Sequence, residues 1–188
     1  MIIRDANQER DAAACAAIYG PYVSGSVISF EALPPSVEEM ADRIGAAYAW
    51  VVAEQEGATV GYAYGAPHRE RAAYRWAADV AVYIDADHHR SGIGRALYAA
   101  LFQQLGAIGL WTLCAGITQP NDASNGLHHA MGFVPVGTYR RIGWKAGAWH
   151  DVLWLQRDLH PGEPGPPSEP KTTPTEVAAL VGEQHSAA

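Results

Sequence analysis

The stretch Ala81-Val-Tyr-Ile-Asp-Ala-Asp-His-His-Arg-Ser-Gly-Ile-Gly-Arg-Ala-Leu-Tyr98 constrains this chain more than any other. It reads as a short apolar strand, a turn, a glycine-spaced loop and then a helix. In such a loop several backbone N–H groups converge on one point, beside the positive end of the helix dipole. Gly92 and Gly94 carry no Cβ, so a bulky anion can come close to the backbone. The pattern predicts a diphosphate guest, held where a strand gives way to a helix.

The rest of the order is mixed. Residues 2–4 suit a first strand, and the alanine-rich residues 8–19 a helix with Ala14, Cys15 and Ile18 on one face. Ser36-Val-Glu-Glu39 has the form of a capping box, followed by Met40 and Ile44 at helical spacing from Val37. Residues 50–54 and 59–64 flank Glu56-Gly57 and read as a hairpin. A strand over 76–84 precedes the loop. A helix with Ile93, Leu97, Ala100, Leu101 and Leu105 on one face follows it. A strand over 110–117, a short helix over 125–131 stopped by Gly132, and late strands near 134–141 and 149–156 complete the list. Strands come first as a meander and then alternate with helices, which predicts an α/β (α+β) fold with a mostly antiparallel sheet. At 188 residues one domain is expected, spanning 1–159. Six of the twelve prolines fall within 160–174, so 160–188 reads as an extended, mobile tail, with a helical turn conceivable at 176–182.

A formal net charge of −7 argues against a broad nucleic-acid footprint. Cys15 and Cys114 are too few for a disulfide framework and read as reduced core residues. The N-terminus has no apolar run behind a basic start, and no segment reaches membrane-spanning length. A soluble cytoplasmic protein with no membrane or nucleic-acid partner is the expectation.

Three phosphate loops compete for residues 89–95. A nucleotide P-loop needs Gly-x-x-x-x-Gly-Lys-Ser/Thr, which is absent from the sequence. A dinucleotide turn needs a small residue where Leu97 stands, and belongs early in the chain. The third fits: His89-Arg-Ser-Gly-Ile-Gly94 resembles the pyrophosphate loop of the GNAT N-acetyltransferase superfamily, with His89 at a position usually Gln or Arg. Asn121-Asp-Ala-Ser-Asn-Gly-Leu-His-His-Ala-Met-Gly-Phe133 resembles the same superfamily's later element through Asn121, Ser124, Leu127, Gly132 and Phe133. Ala73-Tyr-Arg-Trp76, Val82-Tyr83, Ser29-Phe-Glu31, Pro120-Asn-Asp122 and Gly147-Ala-Trp-His-Asp-Val152 narrow the likeness to phosphinothricin and methionine sulfoximine N-acetyltransferases. The similarity runs from about residue 2 to residue 159.

The resemblance implies a sheet with splayed strands flanked by helices, acetyl-CoA as co-substrate, and a homodimer. It places the diphosphate on His89, Arg90, Ser91, Gly92, Ile93, Gly94 and Arg95. The pantetheine arm would lie along Val82, Tyr83 and Ile84 and bond to Asn121. His128 stands where the family often has a tyrosine facing the cofactor sulfur, and imidazole can serve as acid or base near neutrality. Asp79, in the strand before the loop, stands where the resembled group has Glu. One methylene shorter, it is the candidate base for the amine, with a bridging water filling the gap. Its competing reading is a strand-end carboxylate paired with Arg75 or another cation. Phe30 and Glu31 match the group's substrate-side loop, and Arg71 and Tyr74 lead into the acceptor pocket. Arg71 or Arg75 suits a substrate carboxylate by its planar fork, or else forms a solvated basic edge balancing Glu70. Trp144, Lys145, Trp149 and His150 would close the pocket or meet a partner subunit. No zinc-type Cys/His/carboxylate spacing stands out, and the chemistry needs no metal. The activity implied is acetyl transfer to a small amino-acid-like amine. The alternatives are a protein N-terminal acetyltransferase and a non-catalytic acyl-CoA-binding module.

Overall fold

In the computed structural model, which describes residues 1–162 and 167–171, the chain forms β1 (Ile2–Asp5), α1 (Gln8–Ser24), α2 (Val37–Ala46), β2 (Ala49–Gln55), β3 (Ala58–Pro67), β4 (Ala77–Ile84), α3 (Ile93–Ala107), β5 (Thr112–Thr118), α4 (Asp122–Ala130), β6 (Val134–Lys145) and β7 (Ala148–Asp158). The strands make one sheet in the order β1-β2-β3-β4-β5-β7-β6. Every neighbouring pair is antiparallel except β4–β5. The expected fold class therefore holds.

Local rules account for most element ends. Glu56 and Gly57 take positive φ of 52° and 82°, the twist a two-residue hairpin loop requires, and join β2 to β3. The Ser36–Glu39 capping box is complete in both directions. Helix α1 outruns its expected end at 19. Pro21 is absorbed in its last turns, and Gly25 N–H closes on Pro21 O. Helix α4 begins at Asp122 rather than 125, because the Asn121 side chain accepts the Ser124 N–H and caps it early. The expected turn at 176–182 lies outside the described residues. Residues 168–171 do lie against the body. Ser168 O accepts from Trp76 Nε1, Glu169 pairs with Arg75, and Lys171 N–H donates to Ile108 O.

Each face of the sheet is covered by one apolar layer. Helix α3 buries Ile93, Leu97, Tyr98, Leu101, Phe102 and Leu105 against Val51, Ala63, Ala78 and Val80. Helices α1 and α2 bury Cys15, Ile18, Tyr19, Met40 and Ile44 against Trp50, Val52 and Tyr62. The structural fact that matters for function is where the sheet parts. Strands β4 and β5 pair over Ala77–Asp79 and Thr112–Cys114 alone. Beyond that rung β4 stays paired with β3 as far as Ile84, and β5 with β7 as far as Thr118. The two halves splay apart, as expected, with Asp79 and Cys114 at the fork.

Helix α1 is fixed to this frame by a buried ion pair. Asp11 is 1% exposed. Arg4 of β1 donates to both its oxygens, at 2.8 and 2.9 Å, and Asn7 N–H adds a third bond. Removing one partner of a buried pair strands the other charge. We expect Arg4→Ala to lower the free energy of unfolding by about 3 kcal/mol, read from chemical denaturation. A loss no larger than that of an ordinary surface substitution would show that Asp11 is not held as a buried carboxylate.

Candidate active site

The glycine loop sits directly beneath the fork. Arg90 and Gly92 both have left-handed backbone, with φ of 61° and 83°. Gly92 is the N-cap of α3. The first-turn N–H groups of that helix have no intrahelical acceptor, so they face outward as a donor cluster. The two glycines serve different needs. A Cβ on Gly92 would meet nothing within 4 Å, so this glycine answers to its φ and to the open space in front of it. A Cβ on Gly94 would press on Leu127 and Ile84 at 3.1 and 3.2 Å, so Gly94 serves helix packing rather than ligand approach. Arg90 and Arg95 make no side-chain hydrogen bond or ion pair among the described residues. His89 turns inward: its Nε2 lies 3.1 Å from Ile84 O and 3.0 Å from Tyr22 Oη, while Tyr22 donates to Ile84 O at 2.6 Å. It ties the loop to the end of β4 instead of reaching out.

A cleft of about 670 Å³ joins these parts. All the residues the sequence assigns to the cofactor line it: Val82–Ile84, His89–Arg95 and Asn121. The Asn121 oxygen is used in capping, which leaves its amide NH₂ available. Ile28, Val82, Tyr83, Asn121 and Ser124 also line a smaller cavity of about 60 Å³ between the splayed strands, which reaches His128.

His128 is buried, 3% exposed. Its Nδ1 lies 2.8 Å from Ser124 O, a pure acceptor, so Nδ1 carries the hydrogen. Nε2 then accepts from the hydroxyl of buried Tyr98 at 2.9 Å. Burial holds the imidazole's pKa below the ordinary histidine value, against the backbone bond that would raise it. The ring is neutral, buried at the wall of the inner cavity and bonded at both nitrogens.

The residues the sequence assigns to the acceptor sit on separate segments. Asp79 Oδ1 bonds His68 Nδ1 at 2.7 Å, and Arg69 stands 3.9 Å from Oδ2. The partner of this carboxylate is thus His68, with Arg69 next, and not Arg75. Burial raises the Asp79 pKa despite both partners. Arg71 and Tyr74 line a cavity of about 620 Å³ together with His68 and Arg69. Arg75 is not in that lining: it donates to Glu169 at 2.6 Å and stacks on Trp76 at 3.9 Å. Glu31 is held bidentately by Arg43 at 2.8 and 3.0 Å and accepts from Tyr19. Phe30 packs its ring on Gly143, where any Cβ would collide with it. Lys145 donates to the carbonyls of Val23, Ser29 and Glu31, so it closes the loop between α1 and α2 onto β6. A further cavity, about 320 Å³ and largely aromatic, lies between Tyr19, Trp50, Tyr62, Tyr64 and Tyr83.

Three features escaped sequence reasoning. His68, Asp79 and Cys114 place one ligating atom each within 4.8 Å of the others, though 11 and 35 residues separate them. Tyr98 belongs to the buried stripe of α3 yet bonds the site histidine. Tyr22 anchors the end of β4. For the first, the antiparallel register of β3 on β4 would have given the clue, since His68 directly follows the Pro67–Ala78 rung. Burial and the neighbouring Asp79 push the Cys114 thiol up to about 11, so it is protonated at neutral pH and a poor nucleophile. Cys15 is pushed up to about 12 by burial.

Comparison with known proteins places this geometry. Residues 3–154 match the model of the acetyltransferase (GNAT) domain. A phosphinothricin N-acetyltransferase of Streptomyces viridochromogenes is 39% identical over 165 residues, covering 86% of this chain and 90% of that protein. An L-methionine sulfoximine/L-methionine sulfone acetyltransferase of Salmonella typhimurium is 32% identical over 112 residues, 60% of this chain and 66% of the relative. Among solved structures, a GNAT superfamily phosphinothricin acetyltransferase from Sinorhizobium meliloti in complex with AcCoA superposes with a TM-score of 0.84 at 35% identity, covering 89% of this chain and 93% of that one.

The state of His128 makes a prediction. Its folded pKa is depressed, so on acidification the unfolded chain binds the proton first. The stability it supports is full above the unfolded value, about 6.5, and is lost as pH falls through the folded one. Denaturation midpoints should therefore fall between about pH 7 and pH 5, and His128→Gln should flatten that slope. An equally steep slope in the variant would show that His128 titrates as a solvated imidazole.

Proposed function

We propose that this chain, which belongs to the GNAT acetyltransferase family, moves the acetyl group of acetyl-CoA to the amine of a small amino-acid-like acceptor of the phosphinothricin or methionine sulfoximine type. The observation that carries the reading is the cleft at the fork, where a left-handed glycine loop, unpaired helix amides and a strand edge freed from β5 line one space. Acetyl-CoA supplies the activated acetyl thioester when bound. The N–H groups of residues 91–95, with Arg90 and Arg95 beside them, hold the diphosphate. The freed edge over Val82–Ile84 and the amide of Asn121 hold the arm. Donors on that edge also serve an oxygen that gains negative charge. Attack by the amine is direct, in a ternary complex. The protonated thiol of Cys114 supports this, because it offers no nucleophile for an acyl-enzyme step.

His128 keeps a proton site beside the inner cavity, in contact with the Tyr98 hydroxyl, for the departing sulfur. The Asp79 end of the fork draws the proton from the amine. Arg71 and Tyr74 take the acceptor's carboxylate end. Arg75 joins them only where Glu169 lets it go. Phe30 and Glu31 shape the acceptor side from the loop above it. The catalytic unit is residues 1–159, with 160–188 as an appendage. Among the described residues no helix is long and apolar enough to cross a membrane. The two free thiols suit a reducing compartment, the cytoplasm. We also propose a homodimer. The outer strand β6 exposes Val134, Val136, Tyr139, Ile142 and Trp144, an apolar edge that a second copy would cover.

Thiol release from acetyl-CoA, measured over a panel of amino acids, phosphinothricin, methionine sulfoximine and N-terminal peptides, tests the acceptor class. Turnover with the small acceptors is expected, and turnover with peptides alone would overturn the reading. Gly92→Val forces a β-branched residue to a left-handed φ, a strain of about 1–3 kcal/mol, and fills ligand space. CoA affinity by calorimetry should drop tenfold or more, and an unchanged affinity would remove the loop from the site. His128→Ala should lower kcat about 100-fold with little change in CoA affinity. Sedimentation at micromolar concentration should report a dimer, and a monomer there would refute the β6 interface.

A further inference from the structure

We propose that the group accepting the amine's proton is Nε2 of His68, with Asp79 acting behind it as the residue that orients the ring. The inference rests on the acetyl-transfer reading and deepens it by naming the base.

The first support is the hydrogen bond itself. Asp79 Oδ1 lies 2.7 Å from His68 Nδ1. A carboxylate accepts, so Nδ1 holds the hydrogen and Nε2 keeps its lone pair. The second support is exposure of that lone pair. Among the described residues Nε2 has no hydrogen-bond partner, and it is not among the buried polar atoms left unsatisfied. It is therefore open to the 620 Å³ cavity, which it shares with Arg69, Arg71 and Tyr74. Two of these are the residues proposed for the acceptor's carboxylate. A base and a carboxylate clamp on one cavity wall suit an α-amino acid, whose amine and carboxylate sit on one carbon.

The third support is rigidity. The backbone of His68 extends the β3–β4 ladder by one bond, N–H to Ala77 O at 3.3 Å. The ring is flanked edge-on by Tyr74 at 5.8 Å and by Trp154 of β7 at 6.2 Å. The groups around it are Asp79 of β4, the Cys114 thiol of β5, and Arg69 and Tyr74 of its own loop. Glu70 and Arg71 of the same loop also line the cavity, and Asp79 is the anion bonded to the ring.

The dyad also resolves the missing methylene. An aspartate at the fork falls short of what a glutamate would reach, and the imidazole extends that reach by its own width. In the step itself an N–H bond of the acceptor ammonium breaks and an Nε2–H bond forms. The electron pair stays on the acceptor nitrogen as a free amine, and the ring becomes imidazolium beside the Asp79 carboxylate. Solvent in the cavity takes the proton afterwards. This is the carboxylate–imidazole logic of general-base catalysis.

Two measurements test it. Nitrogen-15 NMR of the full-length wild-type protein should find the His68 ring with Nδ1 protonated and Nε2 bare. Asp79→Asn should shift the tautomer population. A dominant Nε2–H tautomer in the wild type would overturn the proposal, independently of how any variant folds. In steady-state kinetics with acetyl-CoA and phosphinothricin, His68→Gln should lower kcat about 100-fold and leave CoA affinity within about twofold by calorimetry. Wild-type turnover with His68→Gln within threefold of it would overturn the dyad and leave the acetyl-transfer reading standing. No turnover by the wild type on any acceptor of the panel would take both down together.

Discussion

The site exists because two antiparallel half-sheets are joined by only three rungs of parallel pairing. β1 to β4 form one half, and β5, β7 and β6 the other. Each half satisfies its own backbone: β4 on β3, and β5 on β7. Neither strand can turn to follow the other without breaking a ladder that runs its whole length. The fork is therefore held open by the strands outside it, and the inner edges past Asp79 and Cys114 are left with unpaired donors and acceptors. Buried backbone groups in that state demand polar company. A ligand arm rich in amide groups answers the demand, and the α3 amides at the mouth of the cleft supply the attraction for its charged end.

The fork also separates two proton sites of opposite character. His128 lies buried between α3 and α4, with both nitrogens committed, one to Ser124 O and one to the Tyr98 hydroxyl. The neutral ring carries its one hydrogen on Nδ1, so a proton meant for sulfur must first arrive at Nε2, whose contact is the Tyr98 hydroxyl. On the other side, His68, bonded to Asp79, lines a cavity together with Arg69, Glu70 and Arg71. A proton taken up there can leave to solvent. Direct attack by an amine needs this asymmetry, since one proton must leave nitrogen before the bond forms and sulfur must gain one as the old bond breaks.

What the sequence disclosed follows the range of the interactions. The lining of the cleft was legible because its parts are local: a strand, the loop over 85–92 and a helix N-terminus, then a capped helix ended by Gly132 at φ 85°. The hairpin at Glu56-Gly57 and the capping box were legible for the same reason. Element ends were missed where a side chain decided them, as when Asn121 caps α4 three residues early. The second hairpin is longer than its strand pattern suggested, because Ala146 and Gly147 both accept positive φ and let β6 and β7 close tightly. The acceptor side was largely hidden. Its residues come from the end of β3, the middle of β4, the start of β5 and two loops, and no spacing in the chain records that His68 meets Asp79 or that Arg75 turns to Glu169.

The charges on the loop between α1 and α2 divide the labour further. The Glu31 carboxyl is already spoken for: the Arg43 guanidinium lowers its pKa below the ordinary carboxylate value, and Tyr19 donates to it as well. An anion so fully compensated has little left to offer an acceptor amine. Its backbone carbonyl, with those of Val23 and Ser29, instead receives Lys145 from β6. The loop carrying Phe30 is thereby stapled to the outer edge of the sheet, the same edge that exposes Trp144 and Tyr139 and that the proposed dimer would cover. Covering that edge would stiffen the staple and with it the position of Phe30. On the proposed reading, recognition of the acceptor's charge falls to the cavity wall, where the side chain of Arg71 has no internal partner among the described residues.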